Sequence, residues 1–163
     1  MTEIQQSRQL AAIFAADVVG FTRLVEQNET GALATFRSHL DAVFAPAIAR
    51  NRGRLVKLMG DGILAEFASA VDAVNCADEV QRQLVNRNAD LPSDERMDFR
   101  IGINVGDIIV DGDDIQGDGV VVASRLEGVA QPGGIAISNS VFEHVDGKLD
   151  LKFESLGERR LKG

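Results

Sequence analysis

Leu10-Ala11-Ala12-Ile13-Phe14-Ala15-Ala16-Asp17-Val18-Val19-Gly20-Phe21-Thr22 runs from an unbroken apolar segment into a carboxylate and then a glycine turn. Lys57-Leu58-Met59-Gly60-Asp61-Gly62 repeats the plan, with an apolar strand, a glycine and an aspartate. A carboxylate placed after a buried run is costly unless it is paired, hydrogen-bonded or bound to a metal. Two of them, flanked by backbone that can approach a phosphate closely, suggest Mg²⁺ and a nucleotide. Taken singly, Asp17 could be a helix N-cap and Asp61 a turn former. As a pair on adjacent central strands they read as metal ligands, because phosphoryl-transfer sites often use two carboxylates for two ions.

Outward from these stretches, polar residues 1–8 read as a flexible lead-in and 9–163 as one domain. Arg8 to Val18 is a buried strand. Leu33, Phe36, Leu40, Val43 and Ala47 recur at steps of three and four, which predicts one amphipathic helix of about five turns, ended by Asn51-Arg52-Gly53. Leu55–Met59 and Ile63–Phe67 are strands around Gly60-Asp61-Gly62. Ser69 opens a helix in the manner of a capping box, with Ala73, Ala77, Val80 and Leu84 inward. Asn88 to Glu95 is a polar loop and Met97 to Val105 a strand. This order is that of a ferredoxin-like split βαβ sheet, an α+β fold. After a loop from residue 107, a helix spans about Val120 to Ala130. Pro132-Gly133-Gly134 then turns into a short strand, a helix near Val141 and the strand Leu149 to Leu156.

The chain has 163 residues, 45% hydrophobic and 26% charged, which suits one soluble domain with a real core. Its net charge of −8 argues against nucleic-acid binding, which carries a basic footprint. A polyphosphate ligand needs only local cations and a metal. Cys76 is the single cysteine, so no intramolecular disulfide can form. No apolar run approaches bilayer length and no signal segment is evident, so a cytoplasmic location is expected.

Other positions are less decisive. Val18, Val19, Gly20, Phe21 and Thr22 lead into a helix, where backbone N–H groups favour an anion, though any strand–helix turn offers as much. Lys57 is spaced four from Asp61, which puts both on one face of a regular strand, but an exposed strand lysine reads the same way. Asp111-Gly112-Asp113-Asp114 lacks the closing glutamate and flanking helices of a calcium loop and reads as a polar loop. Arg125 and Lys162 could each bind phosphate or form surface ion pairs. His39 and His144 lack metal-ligand spacing and read as structural.

Together the segments FAADVVGFT, KLMGDGILAEF, FRIGINVGD, GDDIQGDGVVVASRLE and LGERRLKG, in this order, resemble the class III nucleotidyl cyclase catalytic domain over nearly the whole chain. The resemblance implies that Asp17 and Asp61 hold two Mg²⁺ or Mn²⁺ ions and that the Val18–Thr22 backbone cradles phosphate. Lys57 and Asp114 match the adenine-reading pair, Arg125 the transition-state arginine, and Lys162 a lysine on the terminal phosphates. The implied reaction turns ATP into cyclic AMP and pyrophosphate at sites shared by a head-to-tail homodimer. A regulatory domain fused in the parent protein would fit the family.

Two departures accompany the resemblance. Val121 stands where the family usually has an asparagine that positions the ribose. Losing one transition-state hydrogen bond commonly lowers kcat by about 10²–10³, so reduced activity is expected while nucleotide binding persists. The connection between Gly106 and Asp114 is short, as in a subgroup of bacterial cyclases. A non-catalytic ATP-binding regulator is the alternative that Val121 favours. A ferredoxin-like RNA binder is disfavoured by acidic charge and the absence of Tyr and Trp. A diguanylate cyclase is disfavoured by the lack of its Gly-Gly-Asp/Glu-Glu-Phe signature.

Overall fold

The structure is a computed structural model that describes residues 6–151 and 153. Its frame is a six-stranded sheet in the order β2-β3-β1-β4-β5, with β6 also on β4. Strand β1 (Gln6–Val18) and strand β4 (Phe99–Asp111) pair antiparallel along their full 13 residues. Strands β2 (Arg54–Met59) and β3 (Gly62–Phe67) form the hairpin expected around Gly60-Asp61, and β3 docks on β1. The outer edge of β4 is shared, because β6 (Ile135–Ile137) runs parallel to its residues 101–103 while β5 (Asp114–Gln116) pairs with residues 109–111.

Side chains alternate across this sheet and divide the core in two. Phe14, Ala16, Ile63, Phe67, Phe99, Ile101 and Ile103 face a helical layer and form the larger cluster. That layer holds α1 (Phe21–Gln27), α2 (Glu29–His39), α3 (Ala45–Arg50), α4 (Ala70–Ala89) and α6 (Asn139–Val145). On the other face Ile13, Ala15, Leu64, Ile108 and Ile115 close around Ala123 of α5 (Asp118–Val129). The intervening strand residue Gly102 lets α5 lie directly on β4. A Cβ there would fall 2.3 Å from the Glu127 nitrogen and 2.4 Å from the Ala123 carbonyl oxygen, far inside contact distance.

Several expectations are corrected. Gln6 and Ser7, expected in the lead-in, already pair with Asp111 and Val110, so β1 begins two residues before its expected start at Arg8. The predicted five-turn helix is three pieces, with a wide π-helical turn at Leu40–Phe44 between α2 and α3. Pro46, in the first turn of α3, supplies no N–H and crowds the preceding turn, a recognised cause of such a break. Leu33, assigned to the apolar face, is exposed, and Ala32 takes the buried position. Strand β4 runs on to Asp111 where a loop was expected, because β1 continues to offer it partners. Asp111 and Asp114 are themselves a strand pair closed by Gly112-Asp113, so the acidic stretch is a tight hairpin and no calcium loop. The strand expected at Leu149–Leu156 lies largely outside the described residues, although Leu149, Leu151 and Phe153 pack on the main core.

Candidate active site

Asp17 is the last but one residue of β1, on the sheet face covered by α5. It caps no helix, since the N-cap of α1 is Gly20. Asp61 occupies the β2–β3 turn, and its Oδ2 accepts the Val18 amide at 3.1 Å. That bond ties the hairpin tip to the end of β1, and so brings the second aspartate to the first. Asp61 therefore sits on a turn, and the regular four-residue strand spacing expected from Lys57 does not apply.

A third carboxylate joins them. Glu127 follows Ala123 by one helical turn, which aims it at the sheet. Its pKa is pushed up to about 9 by burial first, then by a hydrogen bond with Asp17 and the charges of Asp17 and Asp61, against the opposing effect of Arg100. Arg100 is the residue opposite Asp17 on β4. The Glu127 Oε1 and the Arg100 Nε are both buried without a hydrogen-bond partner. Sequence reading passed over both residues. The signal was the spacing of Glu127 four after Ala123 and of Arg100 one before the apolar Ile101.

Such an excess of carboxylate is the setting in which a divalent cation is favoured. Among the described residues no group of three or more potential ligands is arranged to hold a metal ion alone. Two aspartates then fit ions that take their remaining ligands from phosphates and water, the usual habit of Mg²⁺.

The turn after Asp17 is narrower as an anion cradle than expected. The Val18 amide is engaged by Asp61, and the Val19 amide donates to the Asp98 carbonyl at 2.8 Å. Gly20 adopts φ +65, a left-handed conformation suited to glycine, and α1 has no side-chain cap. The amides of Gly20, Phe21 and Thr22 are the part of the turn left for a ligand.

Lys57 and Asp114 are brought together from opposite edges of the sheet. The Lys57 Nζ lies 2.8 Å from Asp114 Oδ1, and the same oxygen accepts the Ile115 amide at 2.8 Å. The Lys57 hydrogen bond, then the Ile115 amide, hold the Asp114 carboxyl below its ordinary pKa. A β-bulge between Leu55 and Lys57 sets the register opposite Leu64. Val121 and Arg125 lie one turn apart on α5, on the side away from the buried Ala123. Val121 is 41% exposed, and among the described residues Arg125 forms no ion pair. Within one chain Arg125 therefore faces away from Asp17 and Asp61. Lys162 lies outside the described residues. His39 accepts a hydrogen bond from Arg87 and His144 contacts the Ser140 carbonyl oxygen, both away from these carboxylates.

A family model described as the adenylate and guanylate cyclase catalytic domain matches residues 3–163. The chain belongs to this cyclase family. The cyclase domain is 44% identical over 155 residues to "Putative adenylate cyclase 3" of Rhizobium meliloti, covering 95% of this chain and 26% of that protein. It is 34% identical over 139 residues to an adenylate cyclase of Streptomyces coelicolor, covering 85% of this chain and 34% of that protein. The cyclase domain thus spans about a quarter to a third of those two relatives. Among solved structures, the adenylate/guanylate cyclase/hydrolase from Silicibacter pomeroyi superposes with a TM-score of 0.91 at 42% identity, covering 97% of this chain and 92% of that one. The adenylyl cyclase CyaB from P. aeruginosa shares the fold, with a TM-score of 0.76 at 22% identity, covering 98% of this chain and 100% of that one. No described helix of the cyclase domain is long and apolar enough to cross a membrane.

Proposed function

We propose that this domain converts ATP to 3′,5′-cyclic AMP and pyrophosphate in a two-fold homodimer, at a rate held down by Val121. The observation that carries the reading is the division of the charged groups. Asp61 is tied to the Val18 amide, next to Asp17 and beside a turn with free amides, whereas Arg125 projects from the far side of α5. A triphosphate held at the aspartates of one chain would meet the Arg125 of a second, and two-fold symmetry then makes two such sites.

In the reaction the ribose 3′-oxygen bonds to the α-phosphorus, the bond to the bridging oxygen of pyrophosphate breaks, and the 3′-hydroxyl proton is released. Two Mg²⁺ or Mn²⁺ ions, held by Asp17 and Asp61, would supply acidification of that hydroxyl and screening of the phosphates. The Gly20–Thr22 amides cradle phosphate oxygens. Lys57 donates to adenine N1 and Asp114 accepts from its N6 amine. Arg125 stabilises charge gathering on the α-phosphate, and Lys162 contacts the terminal phosphates. Val121 offers the ribose no hydrogen bond.

The second reading, favoured by Val121, is a domain that binds ATP without turning it over. Cyclic AMP production with Mn²⁺, measured on the unmodified chain and on Val121→Asn, separates the two. Slow product that rises in the variant supports the weakened cyclase. Silence from both, with ATP binding intact, leaves the regulator.

A further inference from the structure

The hairpin that carries Asp114 is poorly secured by its own strand. Strand β5 is three residues long and is held by three pairs with β4; so short a ribbon has little stability of its own. The Lys57–Asp114 pair is 37% and 41% exposed on its two sides, and exposed pairs of that kind contribute little. A further tie comes from Arg54, itself 41% exposed and bonded to Asp113 on the open side, but anchored at its other end. Its Nε donates to Glu66 Oε1 at 2.7 Å, and its Nη1 donates to the Asp113 carbonyl oxygen at 3.0 Å. Asp113 is the residue immediately before Asp114. Glu66, directly across β3 from Arg54, is 17% exposed, and its second oxygen is buried without a partner. The planar guanidinium thus spans from a half-buried anchor on β3 to the turn on the opposite sheet edge, a reach with fixed direction that an ammonium lacks.

We propose that Arg54 is a positioning residue for base selection. Anchored by Glu66, it holds the Asp113 carbonyl and so fixes Asp114 where it reads the nucleobase together with Lys57. A cross-strand pair that merely stabilised the β2–β3 hairpin would need no bond to Asp113. The inference rests on the reading of Lys57 and Asp114 as adenine readers.

The test is calorimetric titration with α,β-methylene-ATP and α,β-methylene-GTP, each with Mn²⁺. It is run on the chain itself, Arg54→Met, Arg54→Lys and Lys57→Ala, with melting temperatures recorded alongside. The preference for the adenine analogue should fall about tenfold in Arg54→Met, the scale of one lost charge-assisted hydrogen bond. It should fall comparably in Arg54→Lys, which keeps the charge beside Glu66 and hence the melting temperature. If the methionine variant does not fold, the lysine variant decides. Preference unchanged in the Arg54 variants but lost in Lys57→Ala would overturn the positioning role and leave the base readers standing. Preference unchanged in Lys57→Ala would overturn the base-reading assignment, and this inference with it.

Discussion

Among the described residues, Glu127 is the carboxylate whose protonation most distinguishes the folded chain from the unfolded one. Without divalent cation the folded chain keeps a proton on it up to about pH 9, whereas the unfolded chain releases one at the ordinary carboxylate pKa. Its contribution to stability is therefore present at low pH and lost as pH rises through that window. Glu127→Gln should match the unmodified chain at pH 4 and exceed it at pH 8, measured by urea unfolding in chelator. His39 acts with the opposite slope, since burial and then the Arg87 charge pull its pKa down to about 4. The His39 contribution should fall as pH drops from about 6.5 towards 4, by about 3 kcal/mol at most, against the Glu127 gain over the same range, so His39→Gln should flatten that part of the curve when made in a Glu127→Gln background. Asp17 and Asp61 were legible in the sequence because each interrupts an apolar strand beside a glycine, where a carboxylate needs a reason to be. Glu127 was not, because it looks like any helix-surface glutamate until α5 is known to lie on β4.

At the scale of elements, the docking of α5 depends on Gly102. Gly102→Ala should destabilise the domain by about 2 kcal/mol or more, because backbone on the helix side cannot yield as a side chain would. Chemical denaturation measures it, and nucleotide turnover should drop further than stability alone explains, since α5 carries Val121 and Arg125. Strand order and most helix positions were readable from periodicity and caps, the Ser69 cap among them. Three elements escaped for identifiable reasons, β5 among them because Asp111-Gly112-Asp113-Asp114 reads as a polar loop until its pairing with β4 is in view. The upper half of β4 passes through Gly106-Asp107, which reads as a turn when the long partner β1 is not in view. The π-turn at Leu40–Phe44 keeps the three-and-four spacing of its apolar residues, so the pattern does not betray the break.

For the whole molecule, the proposed shared site makes activity a property of pairs. Asp17→Ala and Arg125→Ala should each be inactive alone. Mixed in equal amounts, they should recover about a quarter of the unmodified rate, because half the dimers are hybrids and each hybrid rebuilds one of two sites. Recovery of nothing, with mixed dimers present by native mass spectrometry, would count against a site built from two chains. The long ladder between β1 and β4 adds a mechanical constraint on such an assembly. At one end Gln6 faces Asp111, three residues before Asp114; at the other, Asp17 is the last residue but one. Strand β1 is a slide bolt that ends, across β4, beside the hairpin of the proposed base reader Asp114 and carries Asp17 near its other end, so a pull along it reaches both. Its travel is also quantised. A slip of one residue would turn Asp17 into the helical layer, so the shortest movement that keeps the carboxylate on its working face is two residues, about 7 Å.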